Sequence, residues 1–482
     1  MSISHNSRIF KIAITLLSGL LILLYSCNKD ELLESPVSLD FSADTVLFDT
    51  VFTTIGSSTQ SFRVFNPEEK ALEIDRIHLG NGKNSPFRIN VNGLSGTDFQ
   101  NIKIGAQDSI YVFAEVTIDP NSTDQPMIVT DSIVFNTNGK IQDIKLVAWG
   151  QDAIFIVADQ QISGLPPFKI VAKEGEHITW DSPKPYVIYG YAVVDSTASL
   201  TIKEGTNVHF HANSGLWVYK GGNMTVEGTA TEPVHFQGDR LENYYEDIPG
   251  QWDRIWFNEG SVNNSISHAI IENGFIGIQA ETLDASMGNQ LEMDNVIVRN
   301  MSGIGILGRN YQISAENLEI TNTANYALAL TNGGTYDFLH ATIANYWSSG
   351  VRQTPSVYIN NFYETPDGTI YSNDMQANLA NTIIYGNQTN EFLAEDIDDG
   401  SLLDYTLDHC LIKTDQSTNG SSWFNCIINQ DPKFTGINDG DFTLEQTSPA
   451  INAGSDAINV PVDLKGDMRD AQPDIGAYEY IP

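Results

Sequence analysis

The chain has 482 residues, with 25 lysines and arginines against 61 aspartates and glutamates, so its formal net charge is −36. This length allows roughly two or three domains. A surface of this charge repels nucleic acid, whose binding depends on neutralised phosphates. It also repels anionic lipid head groups and polyanionic glycans unless a cation intervenes. We therefore expect a soluble, exposed surface and no nucleic-acid partner.

The N-terminus has the pattern of an export signal. Arg8 and Lys11 precede the apolar run "IAITLLSGLLILLY" (12–25), which the polar, charged segment "NKDELLES" soon follows. The run has the length of a signal-peptide core and is too short to span a bilayer comfortably. We interpret it as a targeting segment and exclude it from the fold.

The end of this run resembles a bacterial lipobox, with Leu24 at −3, Ser26 at −1 and Cys27 after the cleavage point. The resemblance implies a signal peptide over 1–26, a lipidated tether over 27–37, and diacylglycerol and palmitate on Cys27. The lipid would then be the only contact with a membrane. The alternative is a secretory signal with an incidental cysteine.

Lys29, Asp30 and Glu31 follow the cysteine. They resemble the lysine-plus-acidic tag that sends lipoproteins of Bacteroidota to the outside of the cell. The resemblance implies an outer-membrane, lipid-anchored protein that faces the exterior.

Residues 38–152 alternate apolar and polar positions, as in "SFRVFN" (61–66), "IYVFAEVTI" (110–118) and "DIKLVAWG" (143–150). This period of two, interrupted by turn residues, predicts short half-buried strands. Several such strands in one domain indicate a β-sandwich. The pattern resembles immunoglobulin-like domains of the ASPM–SPD-2–Hydin type, which implies a spacer or interaction module without a catalytic centre.

Residues 153–430 contain a repeat in which a polar corner residue is followed by two mostly apolar positions separated by one residue. The corner column is His268, Asn295, Asn317, His340, Asn381, His409 and Asn425. The first apolar column is Ala269, Val296, Leu318, Ala341, Thr382, Cys410 and Cys426. The second is Ile271, Val298, Ile320, Ile343, Ile384, Ile412 and Ile428.

These columns predict strands with one buried face. The first three spacings are 27, 22 and 23 residues, which fits one coil of a right-handed parallel β-helix. We therefore interpret the corner histidines as members of a hydrogen-bonded ladder between coils. Cys410 and Cys426 fall in an inward column, where a disulfide is allowed but strained.

The C-terminal residues 431–482 contain "DPKF", "DFTL", "SPAINAG" and "DIGAYE". These motifs resemble the ending of many secreted bacterial β-helix proteins, which implies a cap over the open end of the solenoid. Together the motifs resemble a Bacteroidota surface lipoprotein of the right-handed parallel β-helix repeat family. The expected fold class is all-β, with an immunoglobulin-like sandwich, a β-helix and a C-terminal cap.

The stretch "GDRLENYYEDIPGQWDRIWF" (238–257) concentrates aromatic and charged residues. Aromatic side chains offer rigid apolar faces to sugar rings. We identify Arg240, Tyr244, Tyr245 and Trp252 as candidate binding residues, with Trp217 and Tyr219 expected close by in a neighbouring coil. The alternation in "WDRIWF" favours packing of Trp256 into the core.

Three classes of function remain open: a protein that binds extracellular glycan or a surface protein, a polysaccharide lyase or glycoside hydrolase, and a structural stalk. We favour non-enzymatic binding or adhesion by a monomer, because no carboxylate cluster with a basic partner is evident across coils. No catalytic residue, metal site or cofactor is predicted. The segment "EDIDDG" (395–400) lacks the closing Glu of an EF-hand, which leaves only a structural calcium open.

Overall fold

The computed structural model describes residues 32–119, 127–283, 290–365 and 367–482. Cys27, Lys29, Asp30 and Glu31 lie outside these residues. The chain divides into two compact units, Met1–Asp152 and Ala153–Pro482. Within the described ranges the protein is all-β, without α-helix, and no helix there is long and apolar enough to cross a membrane.

Ten strands lie in the described part of the N-terminal unit. They are β1 (Asp40–Phe41), β2 (Thr45–Phe52), β3 (Gln60–Phe65), β4 (Leu72–Leu79), β5 (Phe87–Val91), β6 (Leu94–Gly96), β7 (Asp98–Ile104), β8 (Ser109–Val116), β9 (Met127–Thr137) and β10 (Lys140–Gln151). One sheet has the order β1-β3-β8-β5-β6 and the other β2-β10-β9-β4-β7. All pairs are antiparallel except β2 with β10.

Alternation along each strand produces the core of this sandwich. In β8, Val112 and Ala114 are buried, whereas Tyr111 and Phe113 are exposed. The buried positions of both sheets form one hydrophobic cluster. The predicted β-sandwich is therefore confirmed.

The C-terminal unit continues the strand series. Its first strands are β11 (Ile154–Val157), β12 (Phe168–Ala172), β13 (His177–Trp180), β14 (Tyr186–Tyr189), β15 (Tyr191–Val194), β16 (Ser199–Lys203), β17 (Asn207–Phe210), β18 (Gly215–Val218), β19 (Asn223–Glu227), β20 (Val234–Gly238) and β21 (Ile255–Phe257). Next come β22 (Asn264–Glu272), β23 (Ile276–Glu281), β24 (Gln290–Met301), β25 (Ile304–Thr323), β26 (Leu328–Asn345), β27 (Val357–Asn360), β28 (Phe362–Glu364) and β29 (Ile370–Ser372).

The series ends with β30 (Met375–Ala380), β31 (Ile383–Gly386), β32 (Phe392–Glu395), β33 (Leu403–Asp408), β34 (Leu411–Ile412), β35 (Trp423–Phe424), β36 (Ile427–Ile428), β37 (Phe434–Gly436) and β38 (Asp441–Leu444). Short 3-10 turns occupy Gly82–Asn84, Asn243–Tyr245 and Ile437–Asp439. Apart from the antiparallel hairpins β28–β29 and β37–β38, these strands pair in parallel with the equivalent strand of the next coil.

Each coil has three outward faces, which we name by their strands. The groove face contains β12, β15, β18, β21, β23, β27, β32 and the first parts of β25 and β26. The acidic face contains β13, β16, β19, β30, β33, β35 and the parts of β22, β24, β25 and β26 paired with them. The strap face contains β11, β14, β17, β20, β31, β34, β36 and the last parts of the long strands.

The predicted register is confirmed for the second apolar column. Ile271 pairs with Val298, Val298 with Ile320, and Ile320 with Ile343, and the series continues through Ile384, Ile412 and Ile428. The first four side chains are fully buried in the solenoid core. This is the parallel β-helix expected from the repeat.

The corner column has a backbone reason that the sequence analysis missed. All seven of its residues have positive φ, between 48° and 55°. Asn and His tolerate this left-handed region better than most residues, so the column marks where each coil turns. The predicted ladder also forms in part, since Asn317 Nδ2 donates to Asn295 Oδ1 at 3.2 Å and Asn381 Nδ2 lies 2.9 Å from His340 Nε2.

Residues 431–482, which we call the strap, lie along the side of the coils. Asn317 Nδ2 donates to the Val462 carbonyl at 3.0 Å, and the Ala477 amide donates to Thr342 Oγ1 at 2.9 Å. Ile475 packs in one cluster with outward side chains of the strap face. We expected a cover over the open end of the solenoid, but these contacts lie on a flank of the coils. The physical reason is that the strap face carries outward apolar side chains, which are stabilised by burial.

Candidate functional site

The excursion between β20 and β21 carries three of the four predicted binding residues to the surface. Tyr244 is 76% exposed, and the Arg240 guanidinium lies 4.1 Å from the centre of the Tyr245 ring. Arg240 also pairs with Glu242 at 3.0 Å. The excursion is fastened by the Asn273 side chain, which donates to the Glu246 carbonyl at 2.8 Å.

Trp252 does not belong to this surface. It is 1% exposed, and its ring stacks on Phe210 with centroids 4.4 Å apart. Its Nε1 donates to the Glu272 carbonyl at 2.8 Å. The prediction of Trp252 as a binding residue is therefore wrong, because a ring enclosed in the core presents no face to a ligand.

Trp256 was expected in the core, but it lies on the surface. The alternation in β21 was recognised, but its phase places Ile255 and Phe257 in the core and leaves Trp256 outward and partly exposed. The Trp256 ring stacks on Trp217 of the preceding coil, with centroids 4.9 Å apart and 16° between planes. The predicted proximity of Trp217 to the 238–257 stretch is therefore confirmed, and Tyr219 lies edge-on to Trp217 at 5.7 Å.

Trp256 begins the open part of the groove face. The preceding outward residues Phe168, Tyr191 and Trp217 are buried and pack with Leu165. Beyond Trp256 the register continues outward through Gln279. Trp256 Nε1 donates to Glu281 Oε1 at 2.9 Å, which connects the indole to the next coil.

Arg309 lies at the centre of this open part. Its Nη1 donates to Glu281 Oε2 at 3.0 Å, and its guanidinium lies 5.1 Å from the Tyr363 ring centre. Tyr363 is 37% exposed and belongs to the hairpin β28–β29, which walls the groove. Arg309 Nε has no hydrogen-bond partner among the described residues. The guanidinium is thus held in place with unused donor capacity.

Two adjoining cavities share Arg309. One, of about 220 Å³, is lined by Arg309, Tyr326, Tyr358 and Tyr363 among others; the second, of about 210 Å³, includes Glu281. The rings of Tyr326 and Tyr358 stack at 5.1 Å. Tyr358 donates through its hydroxyl to Glu395 Oε2 at 2.6 Å. The groove therefore combines aromatic faces with fixed polar groups.

The acidic face contains a carboxylate cleft that the sequence analysis missed. Asp294 and Glu316 are register partners on adjacent coils, and they line a cleft of about 390 Å³ with Glu292 and Asp337. Burial, followed by repulsion from Asp294 and Asp337, raises the pKa of Glu316. Carboxylates of neighbouring coils therefore line one cleft, and the lining includes no basic side chain among the described residues.

The sandwich unit has a separate aromatic surface. Tyr111 and Phe113 stack at 5.9 Å with 20° between their planes, and Arg63 lies 5.3 Å from the Tyr111 ring centre. An adjacent open groove of about 810 Å³ includes Phe113, Arg88 and Glu115. These residues come from one sheet face and have few enclosing walls.

The acidic segment 395–400 and the corner residue His340 were also considered as sites. No group of three or more His, Cys, Asp or Glu side chains among the described residues could hold a metal ion. The "EDIDDG" segment instead binds its own chain: Asp399 accepts from Ser401 Oγ at 2.7 Å, and Asp396 accepts from Asn361 Nδ2 at 2.7 Å. His340 is enclosed by the strap, and burial and Arg469 lower its pKa to about 3.

Together the coils and the N-terminal sheets define a parallel β-helix protein preceded by a β-sandwich. A family model described as a pectate-lyase like beta helix domain matches residues 172–255, the region that leads into Trp256. No curated protein matches the chain significantly.

One solved structure matched by the chain is a family 123 glycoside hydrolase from Clostridium perfringens, reported in a study of glycolipid glycan hydrolysis. It is 7% identical, the match covers 30% of each chain, and the TM-score is 0.20. This likeness is too low to carry an argument about fold or function.

Proposed function

We propose that the protein binds a neutral extracellular glycan along the open groove face, between Trp256 and Tyr358. The observation that carries this proposal is that partly exposed aromatic rings stand at both ends of one register column, Trp256 at one end and Tyr358 at the other, with Arg309 and Tyr363 beside the coils between them. Aromatic rings supply apolar faces with little rotamer entropy to lose. Strand spacing of about 4.8 Å places these groups as an elongated row, which suits a chain-like ligand.

The polar groups of the groove support a saccharide rather than an aliphatic ligand. Arg309, Glu281 and Asn360 supply donors and acceptors at the edge of the aromatic faces. The Arg309 charge is already balanced by Glu281. Because the whole chain also carries a net charge of −36, neutral glycans are favoured over polyanionic ones.

The test is a glycan array with the purified protein, followed by titration of the strongest ligand. Arg309→Gln should weaken binding about tenfold or more, because a polar groove contact is lost. Arg299→Gln is the matched control, since Arg299 pairs with Glu272 at 2.7 Å on the strap face and should bind normally. Equal affinity of both variants for the glycan would contradict the proposal. Binding of a protein ligand without binding of any glycan would contradict it too.

A glycoside hydrolase is the second candidate, and the acidic cleft favours it. Hydrolysis of glycosides uses two carboxyl groups, one of which has a raised pKa and donates a proton. Glu316 has the raised pKa and Asp294 is its neighbour across the coils. Release of reducing ends from a bound polysaccharide, abolished by Glu316→Gln, would establish this activity and replace the non-enzymatic proposal.

We also propose that the protein is anchored to the outer membrane by lipid on Cys27 and faces the exterior. Acyl chains contribute about 0.8 kcal/mol per buried methylene, an attraction that the acidic units do not supply. Cys27→Ala should leave the protein uncleaved or released from the membrane fraction. Replacement of Lys29, Asp30 and Glu31 by Ala should retain the lipid but protect the protein from external protease.

A further inference from the structure

The last coil of the β-helix is held by very few backbone contacts. Its strands β35 and β36 have two residues each and pair only with β33 and β34 among the described strands. The Ile427 amide donates to the Cys410 carbonyl at 2.8 Å, and the Asn429 amide donates to the Ile412 carbonyl at 2.9 Å. Such a terminal coil is expected to open locally more often than the interior coils.

Two free cysteines stand at equivalent positions of this coil and the one before it. Leu411 pairs with Ile427, so the preceding residues Cys410 and Cys426 are also opposite each other. Parallel strands lie about 4.8 Å apart, within the Cα separation of about 4.4–6.8 Å that a disulfide requires. Both side chains contribute to the solenoid core.

The two thiols differ in access. Cys410 is fully buried, and its Sγ lies 3.2 Å from the Leu379 carbonyl oxygen. Cys426 is partly exposed, because no further described strand pairs with β36 on that side. The neighbouring Cys410 thiol lowers the pKa of Cys426, whereas burial raises the pKa of Cys410. This asymmetry assigns Cys426 as the attacking sulfur.

We propose that Cys410 and Cys426 form a redox-active dithiol site that reacts with external disulfides and closes a covalent clip on the last coil. The Cys426 thiolate attacks one sulfur of the external disulfide, whose S–S bond breaks and releases one thiolate. Cys410 then loses its proton to solvent and attacks Cys426 Sγ, which releases the second thiolate. The two protein thiols together lose two protons and two electrons, and the external disulfide becomes two thiols.

The clip constrains the segment that joins the two coils. Fifteen residues, 411–425, separate the cysteines, and closing such a loop restricts the opened state of the coil. Hydrogen exchange of the Ile427 and Asn429 amides should therefore slow at least tenfold after oxidation. Amides of Ile320 and Ile343, in interior coils, should exchange at unchanged rates.

The experiment is incubation of the folded, purified protein with oxidised glutathione, then alkylation and peptide mass spectrometry. The expected product is a cross-linked pair of peptides containing Cys410 and Cys426, with the loss of two hydrogens. Cys410→Ser should stop at a mixed disulfide between glutathione and Cys426, and Cys426→Ser should leave Cys410 unreacted. Each serine variant is first checked for native melting.

Three outcomes would overturn the proposal. The first is that both thiols of the wild-type protein remain fully alkylatable after oxidation. The second is that the wild-type product stays a glutathione adduct on Cys426. The third is a bridge to Cys27 in place of the internal pair. If the internal disulfide forms but hydrogen exchange at Ile427 does not slow, the proposed restraint on the last coil is wrong and only the dithiol chemistry stands.

Discussion

The strap face and the groove face are two outer surfaces of the same coils, and they differ in what covers them. On the strap face, Glu319 and Thr342 are buried and bonded to residues 477 and 478 of the same chain. On the groove face, Trp256 and Tyr358 remain partly exposed beside Arg309. The strap demonstrates how an extended chain can lie along these coils. The groove offers a similar row of groups to a ligand from outside.

The largest expected effect tests the core that supports both faces. Ile320 is fully buried between Val298 and Ile343. Ile320→Asp should lower the free energy of unfolding by about 4 kcal/mol or more, because it buries an unpaired carboxylate. Gln312→Asp, at an exposed position of the same strand, is the control. Equal thermal melting of the two variants would mean that the register described above is incorrect.

The next largest effect is a pH dependence of stability that arises under the strap and not in the groove. Burial raises the pKa of Glu319 to about 7 from its ordinary value of 4.5, although Tyr478 donates to it. The folded protein therefore retains this proton longer than the unfolded chain does. Its stabilising contribution is complete below pH 4.5 and falls by about 3 kcal/mol as the pH rises to 7.

Glu319→Gln removes this titration while keeping an acceptor for the Tyr478 hydroxyl. The difference in unfolding free energy between wild type and variant should therefore shift in favour of the variant between pH 4.5 and 7. Denaturant titrations at several pH values measure it, and the subtraction removes the contributions of other carboxyl groups. A pH-independent difference would show that Glu319 keeps an ordinary pKa beneath the strap.

Trp256→Ala tests the groove face itself. The indole is partly exposed on Trp217, so its loss should weaken glycan binding by about 2 kcal/mol. Tyr111→Ala combined with Phe113→Ala removes the exposed aromatic pair of the sandwich and should leave that affinity unchanged. If the double variant loses binding and Trp256→Ala does not, the ligand surface lies in the N-terminal unit.

The smallest expected effect concerns the excursion between β20 and β21. Tyr244 and Tyr245 lie on the excursion that is fastened at Asn273, beside the start of β23. Tyr244→Ala with Tyr245→Ala should reduce glycan affinity by about 1 kcal/mol and leave the melting temperature unchanged. A change in melting with unaltered affinity would assign these rings to structural support of the excursion.

Much of the β-helix could be predicted because similar residue types recur at equivalent positions of successive coils. The Ile271-to-Ile428 column identified the inward positions before any contact was known, and the register confirms it. The groove could not be found in this way. Trp256, Arg309 and Tyr363 are far apart in sequence and meet only through coil register and an inserted hairpin.

The two tryptophans show a second limit. Both lie in "QWDRIWF", and local alternation alone does not determine which face of a three-residue strand points inward. The excursion before Trp252 changes which side chains point inward. Its end is fixed by backbone hydrogen bonds from the Gly250 and Gln251 amides to the Gly274 and Asn273 carbonyls. The positive φ of the corner asparagines was, by contrast, a readable signal, since Asn295 and Asn317 recur at the same position of successive coils and both have positive φ.

The strap also has a consequence for the order of folding. The hydrogen bond between Tyr478 and Glu319 joins residues 159 positions apart, whereas neighbouring coils join residues about one repeat apart. Contacts between distant residues carry a large loop-closure cost and form slowly. During synthesis, coils that contain Glu319 and Thr342 can stack before the C-terminus emerges, while their outer flank waits uncovered. Docking of the strap is therefore expected to be a late, separate kinetic step, during which this flank is the surface most exposed to association with other chains.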